Sequence, residues 1–147
     1  MIVDMKETPQ REQTPEDCAI RAIVADDHEA ARTRIREMLE DMGVDVVAEI
    51  ANGDLLLDAV QQYHPQLVTV DVRMPGINGL VATQLIKRSF PEIRVFVITN
   101  YPNEHYRRAS ENMGADAFIS KPEAFKGLME AVTMWFGAPP GEEAPLE

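Results

Sequence analysis

The sequence predicts an α/β fold, a doubly wound five-stranded parallel sheet with helices on both faces. Three observations predict it. Five short apolar, β-branched runs recur along the chain, each followed by a segment of helical periodicity and joined by short connections. Three of those runs, at 20–25, 66–70 and 94–99, are nearly continuous, as expected of strands covered on both faces. Gly43, Gly114 and Gly137 each follow a helical segment, where a left-handed C-terminal residue is wanted.

Taken in order, "IRAIVA" (20–25) is the first strand and ends at the acid pair Asp26-Asp27. Ile35, Met38, Leu39 and Met42 then keep the i, i+3, i+4, i+7 spacing of a helix face. "VDVVAEI" (44–50) is the second strand and runs into Asn52-Gly53, read as an ordinary turn. Leu56, Ala59, Val60 and Tyr63 repeat the helical spacing. "QLVTV" (66–70) is the third strand, ending at Asp71, and Pro75, Gly76 and Gly79 shape the loop beyond it. "RVFVIT" (94–99) ends at Thr99. The stretch from Asn103 to Gly114 has only a thin apolar stripe (Tyr106, Ala109, Met113) and reads as a loosely anchored helix. "DAFIS" (116–120) ends at Lys121-Pro122, and Phe125, Leu128, Met129 and Val132 mark the last helix face. Trp135 and Phe136 are neighbours, so one is expected to cover the core and the other to serve a partner surface.

The 147 residues suit one domain with a real core. Residues 20–137 form that domain; residues 1–19, with Pro9 and Pro15, read as a flexible leader, and "APPGEEAPLE" (138–147) as a disordered tail. No apolar run approaches the roughly 20 residues of a membrane span, and the N-terminus lacks signal-peptide organisation, so the expected location is the cytoplasm and no membrane partner is expected. Cys18 is the only cysteine, which excludes an internal disulfide and a CxxC site. The net charge is −11, and 17 acids against 12 bases leave −5 on residues 20–137. That is no basic footprint, and direct nucleic-acid binding by this chain is not expected.

In open parallel sheets, function collects outside the carboxyl ends of the strands. Asp26, Asp27 and Asp71 meet there. At about 4 Å and an effective dielectric near 20, each like-charged pair costs roughly 4 kcal/mol, which calls for a compensating cation. Mg²⁺ suits best, being hard and oxygen-seeking, and the absence of a His or Cys cluster argues against zinc. A carboxylate beside such a cation can attack phosphorus and become an aspartyl phosphate. Lys121 would pair with the phosphoryl oxygens, and the Thr99 hydroxyl would donate to another. Each residue has a plainer explanation alone. One of Asp26 and Asp27 would serve as a helix cap, Asp71 as a turn residue, Thr99 as a strand threonine and Lys121 as a surface lysine. A cap needs only one acid, however, and four separate strand ends carry compatible chemistry. His28 is expected to face solvent, and His64 and His105 receive no role.

The segments "VADDH" (24–28), "VDVRMPGINGL" (70–80), "VITN" (97–100) and "GADAFISKP" (114–122) together resemble the receiver domains of bacterial two-component response regulators. The resemblance covers roughly residues 20–137. It implies the CheY-like, flavodoxin-like strand order 2-1-3-4-5. It also implies that Asp71 accepts phosphate from a sensor histidine kinase or phosphotransfer protein. Asp26, Asp27, Asp71 and the backbone carbonyl of Arg73 would hold Mg²⁺. Thr99 and Lys121 would bind the phosphoryl group, and Phe118 would be the aromatic switch. Output would pass to a downstream protein partner, or to a homodimer, through the face of the fourth helix, fifth strand and fifth helix. The chain is not expected to be an enzyme beyond its own phosphorylation and dephosphorylation. "RMPGINGL" and "IVADDH" resemble the branch that carries a C-terminal helix-turn-helix domain, so the expectation is a stand-alone receiver or one cut from a transcriptional regulator. Asn100 departs from the family's usual small residue after the threonine.

Two other readings compete. A phosphate-independent pseudo-receiver would keep the fold as an interaction module, but such a scaffold has no need of repelling carboxylates. A Mg²⁺-dependent phosphatase working through an aspartyl phosphate typically needs a further acid two residues after the nucleophile, where this chain has Arg73.

Overall fold

A computed structural model describes residues 19–137. The expected tail, and the expected leader apart from Ala19, lie outside the described residues. Along the chain run β1 (Arg21–Ala25), α1 (Glu29–Asp41), β2 (Asp45–Ile50), α2 (Gly53–Tyr63), β3 (Leu67–Asp71), α3 (Gly79–Ser89), β4 (Arg94–Thr99), α4 (Glu104–Asn112), β5 (Ala117–Ser120), a 3₁₀ turn (Lys121–Glu123) and α5 (Ala124–Phe136). The strands are all parallel and ordered β2-β1-β3-β4-β5. This is the doubly wound, flavodoxin-like sheet that the sequence predicted. Among the described residues no helix is long and apolar enough to cross a membrane.

Alternation along the strands builds two cores. Ala22, Val24, Leu67, Phe96, Ile98 and Ile119 face α1 and α5, where Ile35, Leu39, Leu128 and Val132 meet them. Ile23, Ala25, Val68, Val70, Val95 and Val97 face the other way, onto Leu56 and Val60 of α2 and Ala82 and Ile86 of α3. Register then decides where chemistry can collect. Ala25 pairs with Val70, Asp71 with Ile98 and Thr99 with Ser120. The residues just past those pairs therefore share one rim of the sheet.

The loop after β3 is held by close backbone packing. A Cβ on Gly79 would lie 2.1 Å from the Asp71 carbonyl oxygen, so only glycine lets α3 start directly against the strand end. Asn52-Gly53, read from sequence as an ordinary turn, does more. Asn52 caps α2 by accepting from Asp54 N at 2.6 Å, and Gly53 N donates to Pro75 O at 2.9 Å. A Cβ on Gly53 would fall 1.8 Å from the Ile77 carbonyl oxygen. The start of α2 thus braces the loop that follows Asp71. Asn78 caps α3 through Leu80 N and Val81 N.

Two details of α5 differ from the sequence reading. Phe125 is 48% exposed and leaves the core face to Ala124, Leu128, Ala131 and Val132. The helix begins at Ala124, and that face runs i, i+4, i+7, i+8 from it, one residue out of phase with Phe125. Trp135 and Phe136 do not divide core from surface: both are half-buried and pack against the same core. In α4, Tyr106, Ala109 and Met113 are half-buried and only Ser110 is fully buried, which fits a loosely anchored helix.

Candidate functional site

Asp26 is wholly buried at the end of β1 and does not cap α1. The N-cap position is His28, which makes no side-chain capping bond, while Asp26 Oδ1 accepts from His28 N at 2.9 Å. The other oxygen, Asp26 Oδ2, is paired with Lys121 Nζ at 2.7 Å. Lys121 is itself buried and lies 3.5 Å from Asp71 Oδ1, so one ammonium is shared by two acids. Asp27 is exposed beside them.

This environment acts on Asp71. Burial raises its pKa to about 6, Lys121 opposes that rise, and the charges of Asp26 and Asp27 add to it. One lysine does not compensate three acids. Ligand atoms of Asp26, Asp27, His28 and Asp71 lie within 4.8 Å of one another, close enough to hold a metal ion together. The three carboxylates give the hard oxygen donors that a Mg²⁺-sized ion prefers. The His28 imidazole sits at the edge, 71% exposed, with Nδ1 3.2 Å from Asp27 Oδ1.

A cavity of about 470 Å³ opens over Asp71 and is lined also by Asp27, Arg73, Met74, Asn100, Tyr101 and Lys121. Arg73 stacks its guanidinium 4.2 Å above the Tyr101 ring at the mouth. Thr99 is fully buried, and its Oγ1 accepts from Tyr101 N at 2.9 Å, which leaves the hydroxyl proton free to donate. Phe118 does not line this cavity. Its half-buried ring lies under the Arg107 guanidinium at 5.1 Å and borders a separate groove of about 420 Å³ between α4, β5 and α5. The acids and lysine predicted from sequence therefore converge, with Thr99 one register step away and Phe118 on the neighbouring face. Met74, an apolar wall of the cavity, carried no signal of its role in the sequence.

A family model described as the response regulator receiver domain matches residues 22–133. The chain belongs to this receiver family. Among curated relatives, the receiver is 34% identical over 118 residues to the response regulator GacA of Pseudomonas aeruginosa, covering 80% of this chain and 55% of GacA. It is 32% identical over 115 residues to the DNA-binding transcriptional activator EvgA of Escherichia coli K12, covering 77% and 55%. The chain thus spans about half the length of these relatives. Among solved structures, the non-phosphorylated receiver domain of the stress response regulator RcsB from Escherichia coli superposes with TM-score 0.73 at 26% identity, covering 82% of this chain and 96% of that one.

Proposed function

We propose that this receiver accepts a phosphoryl group on Asp71 from the phosphohistidine of a sensor kinase or phosphotransfer protein, and passes the change to a protein partner. The observation that carries this reading is the surplus of negative charge around Asp71: buried Asp26 and Asp71 share one lysine, exposed Asp27 stands beside them, and burial lifts the Asp71 pKa to about 6. A purely structural site would not keep that arrangement.

In the proposed step an ionised Asp71 oxygen attacks phosphorus as the phosphorus–nitrogen bond of the donor breaks, and the imidazole keeps the electron pair. Asp26, Asp27, Asp71 and the Arg73 carbonyl would hold Mg²⁺, which when bound neutralises charge on the transferring group. Lys121 takes a phosphoryl oxygen, and Thr99 turns its free proton toward another. As the Thr99 side chain moves toward the phosphoryl group, Phe118 turns inward, altering the groove beside α4, β5 and α5. A two-state equilibrium biased by phosphate is then read by whatever docks there, a downstream protein or a second copy. The matched relatives are longer regulators, and EvgA's DNA binding belongs to EvgA; this chain's own role is signalling through protein contacts in the cytoplasm.

The test is incubation with Mg²⁺ and a small acyl-phosphate donor, followed by intact mass. Wild type should gain one phosphoryl group and Asp71→Asn none. Equal labelling of both would sink the assignment, and no labelling of wild type by either this donor or a histidine kinase would favour a phosphate-independent module.

A further inference from the structure

Asp26 and Lys121 touch at 2.7 Å, yet they leave strands that are not neighbours. β3 and β4 lie between β1 and β5, so no direct ladder joins the two strands. Helix α1 packs against β1 and α5 and carries two arginines that reach back to the site's backbone. Arg32 Nη1 donates to the Asp26 carbonyl at 2.8 Å, and Arg34 Nη2 donates to the Lys121 carbonyl at 3.0 Å. Neither side chain is among the groups lining the cavity over Asp71.

We propose that Arg32 and Arg34 are positioning residues with separate duties, Arg32 holding the metal-binding acids in place and Arg34 holding the phosphate-binding lysine. This rests on the phosphoacceptor reading and deepens it. The geometry is specific to each. Fixing the Asp26 carbonyl fixes the peptide between the two acids, and with it the directions of both side chains. Arg32 is well prepared for this, because its Nε sits 3.3 Å from Glu49 Oε1 on β2 and the side chain is 18% exposed. The Lys121 carbonyl also accepts from Ala124 N within the 3₁₀ turn, and Arg34 adds the donor that anchors this turn to α1. From the turn a long flexible side chain must keep Nζ near both Asp26 and Asp71. A lysine with four rotatable bonds gains most from a tether at its backbone.

The two duties separate in experiment. With the full chain, Mg²⁺ binding is measured by calorimetry, and the maximal labelling rate with an acyl-phosphate donor is measured at saturating Mg²⁺. In Arg32→Met the Mg²⁺ dissociation constant should rise about fivefold, the size of a lost second-layer contact to a metal ligand or somewhat less. Removing a positive charge alone would tighten Mg²⁺, so weaker binding reports lost geometry. In Arg34→Met the dissociation constant should stay within about twofold while the maximal rate falls about tenfold, the range of one charge-assisted hydrogen bond. Arg34→Lys, which keeps a charged donor, should recover most of that rate. Amide exchange at 121–124 should quicken in Arg34→Met and not in Arg34→Lys. If both arginine variants move both readouts alike, or move neither, the division of duties is wrong. A wild type that takes no phosphate would instead overturn the phosphoacceptor reading, and the Mg²⁺ titration would still judge Arg32.

Discussion

Asp71 and Asp116 are equally buried acids at opposite ends of the same sheet, with side chains 7% and 9% exposed. Their surroundings could hardly differ more. Asp116, just before β5, accepts from Lys87 Nζ at 2.9 Å, Arg94 Nη1 at 3.3 Å and Val95 N at 2.9 Å. Arg94 stacks 4.0 Å over Trp135, whose indole N–H donates to the Asp116 carbonyl at 3.1 Å. Its carboxylate ties α3 to β4, and its backbone carbonyl ties in α5. Asp71 shares its single cation with Asp26 and faces other acids. One end of the sheet spends burial on cohesion; the other keeps an unbalanced charge whose relief must come from a ligand.

Several variants can break or sharpen that contrast. The largest effect belongs to Lys121→Met, which removes the lysine shared by Asp26 and Asp71. The labelling rate should fall about 100- to 1000-fold, as for loss of a preorganised charge partner in phosphoryl transfer, read as phosphoprotein formed against time. A fall of less than threefold would mean that Lys121 balances the acids without touching phosphate. Protonation tests the same end of the sheet. Because the Asp71 pKa is raised to about 6, labelling at low Mg²⁺ should fall as the pH drops through 6, approaching tenfold per pH unit. Saturating Mg²⁺ should move that fall to lower pH, since a bound cation favours the carboxylate. A midpoint indifferent to Mg²⁺ would argue against metal binding at these acids.

At the other end, Asp116→Asn leaves Lys87 and Arg94 without their acid and should destabilise the fold by about 2–3 kcal/mol in urea unfolding. Phosphate acceptance should survive in the variant at temperatures where it remains folded. Arg94→Ala is the gentlest test: the guanidinium is 33% exposed and Lys87 still holds Asp116, so about 1 kcal/mol or less is expected. A loss as large as that of Asp116→Asn would show that the Trp135 stack, rather than the ion pair, ties α5 down.

The two ends were not equally legible in the sequence. Strand ends and helix faces follow from hydrophobic period, which is why the fold class, the acid set and Lys121 could be placed from residues alone, while the strand order came from the family resemblance. The register that brings Thr99 level with Ser120, one step beyond Asp71, is visible only in the structure. Phase errors of one residue were invisible, and they cost Phe125 its place in the core. Contacts made between a side chain and a distant carbonyl leave no period to read. Gly53 against Ile77, Arg34 on Lys121 and the Asp116 cluster all depend on tertiary approach, and an arginine on a helix reads the same whether it meets solvent or a backbone oxygen. Even a sequence that declares its chemistry does not declare what holds that chemistry still.

The contrast between the two acids comes down to a sign. Folded Asp71 keeps a proton between pH 3.8 and about 6 that the unfolded chain has released, so its contribution to stability is complete below that window and is lost as pH rises through 6. The decisive measurement is urea unfolding of wild type and Asp71→Asn at pH 8 and pH 4 without Mg²⁺. The variant should be more stable by about 1–3 kcal/mol at pH 8, with the gain shrinking toward zero at pH 4. A variant less stable than wild type at pH 8, as Asp116→Asn should be, would mean that Asp71 is a structural acid and that the site is not held against its own charge.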